Sequence, residues 1–192
     1  MKFKPRTAQA GDVCVLLEPR ESERVRLRQL QEGLPARFGG RPHRNVHFTT
    51  QRFLLSDKTS LSPLVVALQS ALLDFPPFRV VAEGLRAAQH AFWGTCLLRW
   101  RIRNSEPLED FLHIVDATLL AQRVTPHFPS AVGWRPTLVT ALEGVTECDV
   151  ALASAPSHLF TASRVVLSQI RGRDDFKILA VIQLTKEEKC SL

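Results

Sequence analysis

The sequence predicts an α+β fold of two β-α-β-α lobes, each with an antiparallel-rich sheet. Three observations predict it. Short runs of apolar alternation, the mark of half-buried strands, are interleaved with stretches whose apolar residues recur at helical spacing. The order strand, helix, strand, capped helix over roughly residues 12 to 75 returns over roughly 95 to 155, which reads as approximate duplication despite negligible identity between the halves. Two further alternating runs, FTASRVVLSQI and FKILAVIQL, are joined by RGRDD and close the chain as a hairpin over 160 to 184. No linker or low-complexity segment interrupts the 192 residues, so they read as one bilobal domain, 1 to 192.

The first lobe opens with DVCVLLEP (12 to 19), a short apolar run rich in β-formers. Leu27, Leu30, Leu34 and Phe38 then recur at helical spacing from about Glu21 to Gly39-Gly40, with Pro35 marking a kink or an early stop. Residues 44 to 55 alternate, with Val46 and Phe48 on one face and His47 and Thr49 on the other. Ser62-Pro63 opens a helix with a stripe of Leu64, Val65, Leu68 and Leu72. Residues 78 to 93 read as one or two strands around Gly84.

The second lobe begins with the strand TCLLRWRIR (95 to 103). A helix follows near Pro107, with Leu108, Phe111, Leu112, Val115 and Leu119 on its inner face and His113 off that stripe. VTPHFPSAVG (124 to 133) is a loop by its prolines and glycine, and WRPTLVTALE (134 to 143) is a strand. Thr146-Glu147-Cys148-Asp149 has the form of a capping box and predicts a fourth, short helix.

Composition narrows the function classes. No apolar run approaches the roughly 20 residues that a spanning helix needs, and the basic N-terminus lacks the apolar stretch of a secretory signal. The expectation is a cytoplasmic protein without a membrane partner. Cys14, Cys96, Cys148 and Cys190 are widely spaced with no CxxC, and read as reduced, mostly buried thiols rather than metal ligands or disulfides. The net charge is +6, and residues 2 to 44 hold ten basic side chains against five acidic ones. A basic surface favours phosphate-bearing partners, although a solvated arginine-rich helix face gives the same count.

One stretch carries chemistry. In NVHFTTQRF (45 to 53) the period of a strand puts His47 and Thr49 on one face, a proton carrier beside a hydroxyl donor. No glycine-rich phosphate loop, GxSxG elbow or HExxH occurs, and His43, His90 and His113 have no metal-ligand spacing. No metal or cofactor is expected. With these motifs and the segments DVCVLLEP, PPFRVVAEGL, LLRWRI and the closing hairpin, the chain resembles the 2H phosphoesterases, and within them the 2′-5′ RNA ligase-like proteins.

The resemblance implies two lobes facing a central cleft, each giving one His-x-Thr strand. It implies a substrate that is an RNA end, a 2′,3′-cyclic phosphate or a similar nucleotide phosphodiester. His47 would be the acid or base and Thr49 the donor to a non-bridging oxygen. The second motif is expected as Pro-His-x-Thr-Leu, where this chain has Pro136-Thr137-Leu138-Val139-Thr140. Writing one strand over the other puts Thr137 at the histidine position, as a residual donor, and Val139 at the threonine position. Arg135, on the same strand face, and Arg52, just past the first motif, are the candidate phosphate clamps. Arg99 and Arg101, which share a strand face, are further candidates for a basic cleft.

Three readings follow. One is a phosphodiesterase with impaired or altered catalysis, in which His127 or His158 replaces the missing proton carrier. Another is a catalytically inactive nucleotide- or RNA-binding protein that keeps the cleft. The last is a vestigial cleft on a scaffold. Trp100, Trp134 and Phe48 could stack a base, but core packing serves them as well.

Overall fold

The computed structural model describes residues 8–55, 61–90, 94–127, 138–146, 151–172 and 175–185. It is α+β, and every strand pairing in it is antiparallel. In chain order come β1 (Asp12–Glu18), α1 (Glu21–Glu32), α2 (Leu34–Phe38), β2 (Arg41–Pro42), β3 (Phe48–Leu54) and α3 (Leu61–Ala71). Then follow β4 (Phe78–His90), β5 (Thr95–Ile102), α4 (Glu106–Ala121), β6 (Leu138–Glu143), β7 (Ala151–Ala162), β8 (Arg164–Ile170) and β9 (Phe176–Gln183).

The strands run β7-β4-β5-β6-β3-β1-β8-β9, with β2 on β6. Two four-stranded halves, β7-β4-β5-β6 and β3-β1-β8-β9, therefore meet at β6 and β3. Among the described residues, the pair Phe48–Val139 joins them. Both of those side chains are buried in the main core, Phe48 at 1% exposure and Val139 at 0%.

Helices cover the Phe48–Val139 face. Leu27 of α1, Leu64 and Leu68 of α3, and Phe111, Val115 and Leu119 of α4 share one cluster with Leu17, Trp100 and Val165 from the sheet. The α4 stripe is the one its periodicity predicts, with Pro107 in the first turn and His113 exposed. Pro35 divides the first helical stretch into α1 and α2. A bulge between Val15 and Leu16 shifts the β1–β3 register, and there Thr50 turns inward to donate its hydroxyl to the Val15 carbonyl at 2.9 Å. The Gly39-Gly40 turn sets β2 against β6. Gly40 has φ +75°, and a Cβ there would meet the Glu143 carbonyl oxygen at 2.5 Å, so the tight approach requires glycine.

Three expectations are corrected. Beyond the capping-box residues, 151 to 162 form β7 rather than a helix: eight residue pairs with β4 hold them extended, and those long-range bonds override the local cap signal. The run FTASRVVLSQI is not one strand, because β7 ends at Ala162 and β8 starts at Arg164; the closing hairpin is β8–β9. Cys96 is disulfide-bonded, to a cysteine outside the described residues, whereas Cys14 is a buried free thiol whose pKa burial pushes up to about 12. Among the described residues no helix is long and apolar enough to cross a membrane.

Candidate functional site

Strand parity sets the site. Val46 and Phe48 enter the core, so His47 and Thr49 lie half-buried on the opposite face. His47 immediately precedes β3, and its Nδ1 lies 2.7 Å from the Asn45 carbonyl oxygen. A carbonyl only accepts, so Nδ1 carries the proton and Nε2 keeps its lone pair. Burial lowers the His47 pKa, against smaller opposing effects of the Asn45 carbonyl and of Glu18. The imidazole is therefore neutral at pH 7, with one nitrogen held in place and the other available as a base.

Around it is a cleft of about 240 Å³ lined by residues of β1, α1, β8 and β9. Glu18 Oε2 lies 3.7 Å from Arg24 Nη2 and 3.8 Å from Arg164 Nε. Both distances are too long for a hydrogen bond, and Arg164 Nε is buried without a hydrogen-bond partner. It is thus a charged donor available to an oxyanion. The ring of Phe176, at the start of β9, packs edge-on against His47 with centroids 5.9 Å apart. The ring of His43 lies 6.1 Å from the imidazole, centroid to centroid.

Val139, aligned with the threonine of the first motif, is wholly buried, so the face shared with His47 holds position 140 of β6. One step from the Phe48–Val139 pair, the register sets His47 opposite Thr140, which is half-buried. Thr137 and Arg135 lie outside the described residues. Arg52 does not line the cleft at His47: it is buried, with Nε 3.5 Å from the buried carboxylate of Asp12.

Neither substitute histidine lines the cleft at His47. His158 is on β7, which is not adjacent to β3 in the sheet. Its Nδ1 is 2.7 Å from Arg26 Nη1 of α1, and burial and that guanidinium lower its pKa. The backbone N–H of His127 donates to the Arg52 carbonyl at 2.7 Å. That anchor is five residues along β3 from His47, about 17 Å. Trp100 and Phe48 are core residues, at 6% and 1% exposure, and Trp134 lies outside the described residues. Among the described residues no group of three or more His, Cys, Asp or Glu side chains is placed to hold a metal.

Sequence reasoning missed Arg24, Glu18, Arg164, Phe176 and Thr140. None had a local signal: the direction of Thr140 is set by the pairing of β6 with β3, and the others are likewise assembled by long-range pairing.

No protein-family model matches the chain, and no curated protein is significantly similar to it. Solved structures are similar to it. TT0787 of Thermus thermophilus superposes with TM-score 0.62 at 16% identity, over 92% of this chain and 99% of that one. LigT of E. coli in its apo form gives TM-score 0.60 at 15% identity, over 93% and 99%. A structure described as a phosphoesterase gives 0.57 at 15%, over 92% and 99%. At such identity the likeness is one of architecture, and over nearly its whole length this chain has the fold of LigT and TT0787.

Proposed function

We propose that the chain is a 2′-5′ RNA ligase-like phosphoesterase whose cleft takes an RNA terminus or a nucleotide (cyclic) phosphodiester, with impaired catalysis. The observation that carries this reading is the state of His47: a neutral imidazole with Nδ1–H fixed by Asn45 and Nε2 free, in a cleft also lined by Arg164, whose Nε makes no hydrogen bond. E. coli LigT, which shares the fold, has been seen with 3′-AMP, with NADP+ and with phosphate, which supports a nucleotide ligand here.

In this reading Nε2 takes the proton of the attacking water as the water oxygen bonds to phosphorus. Thr49 and Thr140, on either side of the seam, donate to non-bridging oxygens, and the arginine offsets the developing charge. The bond to the leaving ribose oxygen then breaks, and that oxygen takes its proton from solvent. A protein group in that role typically contributes about 10² to 10⁴ in rate, so hydrolysis is slow by that factor.

The test is hydrolysis of nucleoside 2′,3′-cyclic phosphates, with His47→Ala as the control. Turnover that disappears in the variant supports the enzyme. A second reading, a nucleotide- or RNA-binding protein without turnover, is favoured by the described part of β6, which presents no histidine or carboxylate beside His47. Binding that needs His47 with no turnover would select it. Neither binding nor turnover would remove the site.

A further inference from the structure

The strand register places six side-chain positions in one row across the sheet, on the face that carries His47. Arg86 of β4 pairs with Arg99 of β5, and Arg99 pairs with Thr140 of β6. The seam continues the row to His47, and β1 and β8 extend it to Glu18 and Arg164. Parity agrees on every strand, since Leu98 and Trp100 on β5 and Ala87 on β4 enter the core on the opposite face.

The Arg86–Arg99 step is unusual. Like charges directly opposite one another on adjacent strands repel, and such pairs destabilise a sheet. Neighbouring arginines have acidic partners: Arg101 Nε lies 2.8 Å from Glu83, and Arg41 Nε lies 2.7 Å from Glu143. Among the described residues neither Arg86 nor Arg99 has one. The Nε of Arg99 is buried without a hydrogen-bond partner, although the side chain is within reach of solvent. Two guanidiniums thus stand together, one with an orphaned donor, on the face where a phosphate is already expected. His90, further along the same face, adds no neutralising charge: burial, Arg99 and Arg52 push its pKa down to about 4.

We propose that Arg86 and Arg99 form a second phosphate subsite, which holds the next phosphate along a polynucleotide whose reacting phosphate lies at His47. This rests on the reading of the His47 cleft as a phosphate site. Arg99 is two strands from His47 and Arg86 three, about 10 Å and about 14 Å between backbones. A single phosphate at His47 is therefore out of direct register with the pair, whereas a ligand with two phosphates spans the row. The forked guanidiniums give charge-assisted, two-point contacts to phosphate oxygens. The substrate class that benefits is an oligonucleotide end rather than a mononucleoside cyclic phosphate.

Two measurements on the full chain test this. In the first, inorganic phosphate is titrated while the Arg99 Nε–Hε resonance is followed by NMR. A saturable shift that persists in His47→Ala and weakens in Arg86→Gln is expected. A linear or absent response, or one abolished by His47→Ala, overturns a separate subsite.

In the second, affinities for a 5′-phosphorylated dinucleotide and for a nucleoside monophosphate are compared in Arg86→Gln, an exposed position that leaves folding intact, and in Arg99→Gln. Losing a hydrogen-bonded charge contact should weaken the dinucleotide about tenfold or more while the monophosphate stays within about twofold. Each variant should also lower the salt slope of dinucleotide binding by about 0.7. Equal effects on both ligands, or none, refute the proposal. If instead His47→Ala leaves monophosphate binding unchanged while the Arg99 resonance still saturates, the cleft reading fails and the Arg86–Arg99 site survives it.

Discussion

A histidine placed at position 138 should convert the site into one with two proton carriers. The register decides the position. His47 is opposite Thr140 across the β3–β6 seam, so position 138 is its diagonal neighbour on the same face. Directly opposed side chains have Cβ atoms about 5 Å apart, too close to sandwich a phosphate, whereas diagonal ones are about 7–8 Å apart. An imidazole at 138 could therefore protonate the leaving oxygen while His47 deprotonates the water, with one phosphorus between them. Position 139 is buried in the core and should not serve.

A well-placed general acid contributes about 10² to 10⁴, or about 3 to 5 kcal/mol off the barrier. The assay is single-turnover hydrolysis of a nucleoside 2′,3′-cyclic phosphate by Leu138→His, Thr137→His and the unmodified chain. Leu138→His should be faster by about 10²-fold or more, and its pH profile should become bell-shaped, with an acid and a base both required. Adding His47→Ala should return it to background. A gain in Thr137→His with none in Leu138→His would refute the register on which the site is built.

Further outcomes follow from individual contacts. Phe176→Ala should weaken nucleotide binding by about 1 to 3 kcal/mol through lost base stacking while leaving inorganic phosphate unaffected, as titration calorimetry would read; equal losses for both would mean that the ring only props His47. Gly40→Ala forces a left-handed conformation worth about 1 to 3 kcal/mol and drives a Cβ onto the Glu143 carbonyl, so its Tm should fall by several degrees, and an unchanged Tm would contradict the tight β2–β6 approach. His47, His90 and His158 all have folded pKa values below the unfolded value near 6.5. The unfolded chain then binds more protons in that window, so stability rises with pH from about 4, the value for His90, up to about 6.5. Tm should drop between pH 7 and pH 5, and less steeply in His90→Gln; a flat profile would exclude the shifts.

What the sequence could reveal of this site depended on how far each contact reaches along the chain. The His47/Thr49 pair was legible because parity is local: Val46 and Phe48 flank His47, and apolar neighbours fix which way it faces. The α4 stripe was legible for the same reason at helical period. On β6 the apolar run LVTAL fits either parity, and only the pairing with Phe48 says that Val139 faces inward and Thr140 outward. A one-residue slip there would exchange every candidate on the facing strand. The misread helix after Thr146 has a related cause: a cap signal spans four residues, while the ladder that overrides it joins β4 to a strand some 70 residues later. Glu18, Arg24 and Arg164 come together only because β1 pairs with β8 and α1 begins beside them, contacts that span up to 146 positions. Register across a seam is thus the quantity that separates a phosphate site from a row of surface residues, and among the described residues it rests on the pair Phe48–Val139.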